Sequence, residues 1–225
     1  MKNFSLWTLL LGMLLGINVF GQSNLDDYYK TSLLMGEEDP IRDKATAISN
    51  IQKLQNGALL VRLKTRQNTI DAFKKNGYLK MANQVEMDQK EKNKKLMDAF
   101  RQNFNFCKVY FFYSEDSKKI LEETYEGIFL NKNLEKDAGI VLKEDFILTA
   151  EVGNIVKDHI SMDPDGTEYA PNSGMSESLL IIKDIEFQQL RRPFPYYVKA
   201  EDRFIDKKVA KLNKRLHRFH EYWNK

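Results

Sequence analysis

The chain has 225 residues, of which 42% are hydrophobic and 30% charged, with 35 basic residues against 32 acidic ones. A net charge of +3 is too small to predict nucleic-acid binding. The one cysteine, Cys107, excludes an internal disulfide, a Cys-x-x-Cys redox pair and a multi-cysteine zinc site.

The first residues are typical of a secretory signal peptide. Lys2 precedes an uncharged apolar stretch from Phe4 to Phe20, and Val19 and Gly21 suit the last positions before a cleavage site. The stretch is short for a membrane-spanning helix, although an uncleaved anchor is the alternative. We therefore predict a signal peptide over 1–21 and an exported protein, periplasmic rather than extracellular.

An N-terminal helical arm is predicted over 22–57. Apolar residues four positions apart predict its first helix over Asn24–Met35, and Asp39-Pro40 has the chemistry of a second helix start. That second helix should end at Asn56-Gly57. The sequence leaves open whether the arm covers the sheet or moves separately.

The rest of the chain, 58–225, predicts a single α/β domain with a mixed sheet of about five strands covered by helices. Apolar runs predict strands at the four segments Ala58–Thr65, Phe106–Tyr113, Phe146–Val152 and Leu179–Ile182. Because Val109–Tyr113 is apolar on both faces, we expect this strand near the middle of the sheet, beside Leu179–Ile182. The two prolines in Arg191–Val198 confine that segment to an edge or an extended loop.

A protruding αα-hairpin is predicted over 67–103. The middle of its long helix, Asp88–Lys95, is polar on all sides and should stand in water, supported by an ion pair between Glu91 and Lys95. Three cations near its tip, Lys92, Lys94 and Lys95, are candidate binding residues.

A long C-terminal helix is predicted over Glu201–Trp223, with an apolar stripe on one side and a basic surface on the other. We interpret the stripe as packing on the chain's own sheet. Peripheral contact of the basic surface with an anionic membrane is the alternative.

Four residues are candidates for catalysis. Cys107 can be a small buried hydrophobe, a reactive thiol or one half of an intermolecular disulfide. Ser114, Glu115 and Asp116 follow a strand, where they could act as acid and base. Capping of the next helix, with Ser114 as the N-cap, explains the same three residues without a ligand.

Metal and cofactor sites are not predicted. His217 and His220 have a spacing that could place two imidazoles on one metal, but the surrounding cations would repel it. Asp163, Asp165 and Gly166 match only part of a calcium loop. The chain has no Gly-x-Ser-x-Gly elbow, no glycine-rich phosphate loop and no His-Glu-x-x-His motif.

The sequence therefore favours a non-enzymatic envelope protein that binds another macromolecule, with another envelope protein as its partner. A second binding surface is expected in the segment after the last buried strand, formed by Arg191, Arg192, Phe194, Tyr196 and Tyr197. The alternative is a thioredoxin-like protein or enzyme without a Cys-x-x-Cys pair. The order of predicted elements is one that thioredoxin-like folds also show, and this is a likeness of topology alone.

Overall fold

A computed structural model describes residues 40–154, 161–162, 168–169, 179–199 and 204–224. The signal peptide, the helix expected over Asn24–Met35 and the partial calcium loop lie outside these residues. The chain divides into two compact units, 1–45 and 46–225. Of the first unit, only the beginning of one helix is described, and the second contains the sheet.

Five helices and seven strands are described. In chain order they are α1 (Pro40–Gln55), β1 (Ala58–Leu63), α2 (Gln67–Lys75), α3 (Leu79–Asn103), β2 (Lys108–Tyr113), α4 (Ser117–Leu121), β3 (Ile147–Gly153), β4 (Ser161–Met162), β5 (Glu168–Tyr169), β6 (Leu179–Lys183), β7 (Tyr197–Lys199) and α5 (Ile205–Trp223). A single 3₁₀ turn, Ser114–Asp116, connects β2 to α4.

The main sheet is mixed and has five strands in the order β2-β1-β3-β6-β7. β1 runs parallel to both β2 and β3, whereas β6 is antiparallel to β3 and to β7. The predicted α/β class and mixed five-stranded sheet are thus confirmed. β7 is an edge strand, as the prolines before it require.

The expected position of β2 is wrong, because this strand lies at the edge of the sheet and is separated from β6 by β1 and β3. Its apolar side chains are nevertheless covered on both faces, with Phe111 and Phe112 both buried. Phe129 bridges to Phe112, and Leu130 N–H donates to Phe111 O at 2.9 Å, so a non-strand segment covers part of the outer edge. A run apolar on both faces indicates two covered faces, which an edge strand can also have.

Two hydrophobic clusters form the core. Alternate residues of β1, such as Leu59 and Val61, belong to the larger cluster, together with residues of α1, α3 and α5. The intervening residues Ala58 and Leu60 belong to the smaller one, with α4 and the segment around Phe129. The sheet therefore separates two apolar layers, as the period-two alternation of a strand dictates.

The helical hairpin and the C-terminal helix also form as predicted. Glu91 and Lys95 make an exposed ion pair at 2.6 Å, which is worth about 0.3–0.5 kcal/mol. On α5 the stripe residues Val209, Leu212 and Leu216 are buried in the larger cluster, so the stripe packs within the domain. None of the described helices is both long enough and apolar enough to cross a membrane.

Gly57 lies where no side chain fits, and we predict that Gly57→Ala lowers the free energy of unfolding by about 1–3 kcal/mol through overpacking. An added Cβ would overlap Phe146 O, which already accepts a hydrogen bond from Ala58 N–H at 2.9 Å. Urea denaturation measures this change.

Gly139→Ala is the matched control, because its Cβ would approach only the side-chain oxygen of Asp137, at 3.1 Å. A change within about 0.5 kcal/mol is expected there. Equal destabilisation by the two substitutions would contradict the close approach at Gly57.

Candidate functional site

The carboxyl ends of three neighbouring strands lie together along one side of the sheet, perpendicular to its outermost strands. We call this side the carboxyl edge. β1, β2 and β3 are mutually parallel, so Leu63, Tyr113 and Gly153 all lie towards this edge. Ligands of open α/β sheets bind beyond the carboxyl ends of strands. A concave site is therefore expected at this edge.

A cavity of about 360 Å³ lies at this edge, between the end of β1, α3 and the start of α5. None of the described residues that line it is acidic, and half of them are cationic. Its lining comprises Arg62, Lys64, Arg66, Lys92, Lys95, Gln89, Asn93, Leu96, Val152 and Ile205. We call this the cationic cavity.

One lining residue of the cationic cavity, Arg62, belongs to a group in which a carboxylate is held between two cations. Arg62 and Glu151 are direct cross-strand partners on β1 and β3, and Arg62 Nη1 lies 2.7 Å from Glu151 Oε2. Lys183 Nζ on β6 lies 2.8 Å from the other carboxylate oxygen, Oε1. Arg62 Nε also donates to Ser117 Oγ at 2.8 Å. Arg62 is thus fixed by groups from two other elements.

Two opposing effects act on the Glu151 carboxyl. Burial raises its pKa, but hydrogen bonds and charge attraction from Lys183 and Arg62 outweigh burial, so the pKa lies below its ordinary value of 4.5. Glu151 is therefore ionised at neutral pH, and its charge balances cations that would otherwise be buried alone.

Asn93 fixes the position of α3 against the end of β1. Its side chain is buried, Nδ2 donates to Lys64 O at 2.8 Å, and Oδ1 accepts from Gln89 Nε2 at 3.0 Å. The expectation that Asp88–Lys95 is exposed throughout is therefore wrong at this residue. Arg66, just beyond β1, has a left-handed backbone (φ 55°), which is uncommon for arginine and costs about 1 kcal/mol or more.

The predicted hairpin residues do not act as one group. Lys92 and Lys95 line the cationic cavity, whereas Lys94 is not among its lining residues and pairs with Asp98 at 2.6 Å on the same helix. The structure thus assigns two of the three cations to a site formed with β1.

The predicted surface at 191–197 contributes to a smaller cavity of about 230 Å³. This cavity is lined by Arg215 of α5 together with Arg192, Pro193, Phe194, Pro195, Tyr196 and Tyr197. Arg191 is exposed and is not part of that lining. Phe194 is buried against Phe219, with ring centroids 6.1 Å apart, so its ring contributes mainly to the core. Arg215 Nη1 donates to Tyr197 O at 2.8 Å, which fixes α5 to the last strand.

Cys107 lies just before β2 and is partly buried. Burial raises the pKa of its thiol to about 12, so the reactive thiolate is scarce at neutral pH. This favours the interpretation of Cys107 as a small hydrophobe.

Ser114, Glu115 and Asp116 occupy the expected edge, where each of them contacts another protein group. Ser114 is not a side-chain cap, because its Oγ lies 3.4 Å from Thr65 N and Oγ1 instead. Asp116 is buried and binds Lys136 Nζ at 2.6 Å, and Glu115 lies 3.8 Å from the same nitrogen. These contacts hold the segment that covers β2.

The two histidines of α5 are explained by packing. His217 and His220 both meet the Phe106 ring edge to face, and His217 Nε2 lies 3.0 Å from Asn105 Oδ1. Within the described residues, no group of three or more His, Cys, Asp or Glu side chains is placed to hold a metal ion.

Sequence reasoning missed Arg62, Lys64 and Arg66 as site residues. The sequence feature that could have identified them is a cation at every second position, where a buried strand reaches its carboxyl end. No signal in the sequence links them to Lys92 and Lys95 of α3, which lie about 30 residues further along.

No family model matches the chain, and searches of curated proteins and of solved structures returned no match. Function is therefore inferred from the geometry of the cationic cavity.

Glu151→Gln is predicted to lower the free energy of unfolding by about 3 kcal/mol at pH 7, because Arg62 and Lys183 lose the charge that balances them. The lowered pKa gives the wild type stability that is present above about pH 4.5 and is lost as the pH falls through the folded pKa. The difference in free energy of unfolding between the wild type and Glu151→Gln should therefore shrink in acid. Urea denaturation from pH 7 to pH 3 measures it.

Glu122→Gln is the control, because Glu122 makes an exposed ion pair with Lys118 at 3.5 Å that contributes little. If the free energies of unfolding of the wild type and Glu151→Gln differed by the same amount at every pH, this result would contradict the assigned charge pairing.

Cys107 should resist alkylation in the folded protein. At pH 8 a pKa of about 12, against an ordinary 9.0, lowers the thiolate fraction by about a thousandfold. Iodoacetamide should therefore modify the native protein at least about a hundredfold more slowly than the urea-unfolded one, as mass spectrometry can measure. Equal rates would show a reactive thiol and favour chemistry at this residue.

Proposed function

We propose that this chain is an exported, non-enzymatic envelope protein that binds an acidic region of another envelope protein through the cationic cavity and its α3 rim. The observation that carries this proposal is the convergence of five cations from β1, the β1–α2 connection and α3 on one concave site. A cationic concave surface attracts an acidic partner and raises its rate of association.

The geometry of the rim supports binding rather than turnover. Lys92 and Lys95 are exposed on α3, whose polar middle stands in water apart from Asn93. Arg62 is fixed by Glu151 and Ser117. A preorganised cation loses little conformational freedom when it meets an anion, which favours affinity.

Export is the second part of the proposal and is supported by the signal-peptide pattern of residues 1–21. The alternative, a thioredoxin-like protein or enzyme without the Cys-x-x-Cys pair, has less support because the raised pKa of Cys107 disfavours thiol chemistry. Contact of the basic surface of α5 with a membrane stays a prediction.

The proposal predicts that a double charge reversal, Lys92→Glu with Lys95→Glu, weakens attachment of the partner by at least about tenfold. The measurement is a pull-down from envelope extract, quantified by mass spectrometry at low salt and at 0.15 M salt. Attachment of the partner to the wild type should fall as salt rises, because exposed charges are screened beyond about 8 Å at 0.15 M.

Lys94→Glu is the matched control, since Lys94 lies on the same helix but outside the lining of the cationic cavity. It should retain the partner. If wild type captures nothing above a bead control, or if the double variant retains the same partner, the proposed function is wrong.

A further inference from the structure

The connection between α2 and α3 exposes three large apolar side chains to water. Tyr78, Leu79 and Met81 are 57%, 60% and 50% exposed, and they lie within four consecutive residues. Single exposed apolar residues are ordinary, but a group of them marks a surface that contacts a partner or a membrane. We call residues 73–81 the hairpin apex.

The hairpin apex is convex and lies far from the core. Every residue from 71 to 81 is exposed except Phe73, which is half-buried. After Ala82, the next buried residue of α3 is Asn93, about 20 Å along the helix from Leu79. A helical end of this shape has no groove for a peptide or a small ligand, whereas a broad, deformable surface can take it up.

The turn at the hairpin apex is fixed by hydrogen bonds. Gly77 has a left-handed backbone (φ 76°), its N–H donates to Lys74 O at 3.1 Å, and Tyr78 N–H donates to Phe73 O at 2.9 Å. This is the Schellman ending of a helix, in which an apolar contact joins the two outer residues. The Phe73 and Tyr78 rings form that contact, with centroids 6.5 Å apart. The motif explains an apolar ring at Tyr78 but gives no reason for Leu79.

The charge of the hairpin apex indicates what kind of surface it fits. Residues 72–85 include Lys74, Lys75 and Lys80, all exposed, and no acidic residue. The first two lie in the last turn of α2, where the helix dipole favours a cation. Lys80 lies in the first turn of α3, where the dipole disfavours one. Local helix stability therefore does not explain Lys80, and a negatively charged surface would complement all three lysines.

We propose that the hairpin apex is an attachment site for a negatively charged lipid bilayer. Its three apolar side chains enter the headgroup region, and the lysines contact lipid phosphates, a combination typical of membrane-surface segments. Side chains in the first turn of α3 tilt towards the helix N-terminus, which directs Leu79 towards the bilayer. This surface is separate from the cationic cavity and from the basic side of α5.

The test places the environment-sensitive fluorophore NBD on the full chain at position 79, through Leu79→Cys, and adds vesicles of phosphatidylglycerol and phosphatidylcholine. We expect the emission to move to shorter wavelength as the label enters the bilayer. Met87→Cys is the matched control, because Met87 is 67% exposed on the same helix, about 12 Å further from the apex. Its label should shift much less. Wild type treated with the dye gives the background from Cys107.

Charge reversal tests the role of the lysines in the chain labelled at position 79. Lys80→Glu should raise the lipid concentration at half-maximal shift by at least about tenfold. A glutamate suits the first turn of a helix, so this variant should keep its fold, which thermal unfolding checks. Lys90→Glu on α3 and Lys211→Glu on α5, both exposed, should leave that concentration unchanged.

The proposal is overturned if the label at position 79 does not shift, if the label at position 87 shifts equally, or if pure phosphatidylcholine gives the same result. Equal weakening by Lys80→Glu and Lys90→Glu would also overturn it, because that would show diffuse attraction. Weakening by Lys211→Glu alone would assign membrane contact to α5 instead. An envelope protein captured by wild type and lost with Lys80→Glu, without any vesicle shift, would assign the hairpin apex to a protein.

The outcomes for this surface and for the cationic cavity are distinguishable. Loss of the partner in the pull-down, with the vesicle shift at position 79 intact, would sink the proposed function and leave this attachment site standing. A partner retained in the pull-down, with no vesicle shift, would do the reverse.

Discussion

The parallel pairing of β1 with both β2 and β3 is the constraint on which the site depends. It directs the carboxyl ends of three strands to one edge, so the residues that end β1 lie beside those that end β2 and β3. Had β3 run antiparallel to β1, Glu151 would lie near the opposite edge and could not hold Arg62. Helices α1, α3 and α5 cover one face of this sheet and leave room at that edge for the cationic cavity.

The group of Arg62, Glu151 and Lys183 is better understood as a positioning device than as a source of stability. Removing three charges from water is costly, and their attraction does little more than offset that cost. What the arrangement does provide is direction, because Arg62 is fixed by Glu151 on β3 and Ser117 on α4. Apolar residues at all three positions would remove the cost of burying charge, but they would place no oriented guanidinium at the end of β1.

Much of the fold could be predicted because local patterns determine it. The bounds of β1, β3 and β6 and of the hairpin helices follow from apolar spacing and turn residues, and they agree with the structure to within about two residues. The order of strands does not follow from such patterns. The apolar run ending at Tyr113 indicates two covered faces, and only the distant segment at Phe129 and Leu130 shows how an edge strand achieves this.

The same distinction between local and distant contacts explains the partial prediction of the site. A run of cations on a polar helix marks Lys92, Lys94 and Lys95 equally, because the helix alone gives no reason to separate them. Tertiary contact separates them: Asn93 turns towards the carbonyl of Lys64, and the register of that one contact brings Lys92 and Lys95 to the cavity while Lys94 pairs with Asp98. A polar residue buried in the middle of an otherwise solvated helix is therefore the more informative signal, because its burial needs a specific partner. Here that partner lies at the end of β1, where the cationic cavity begins.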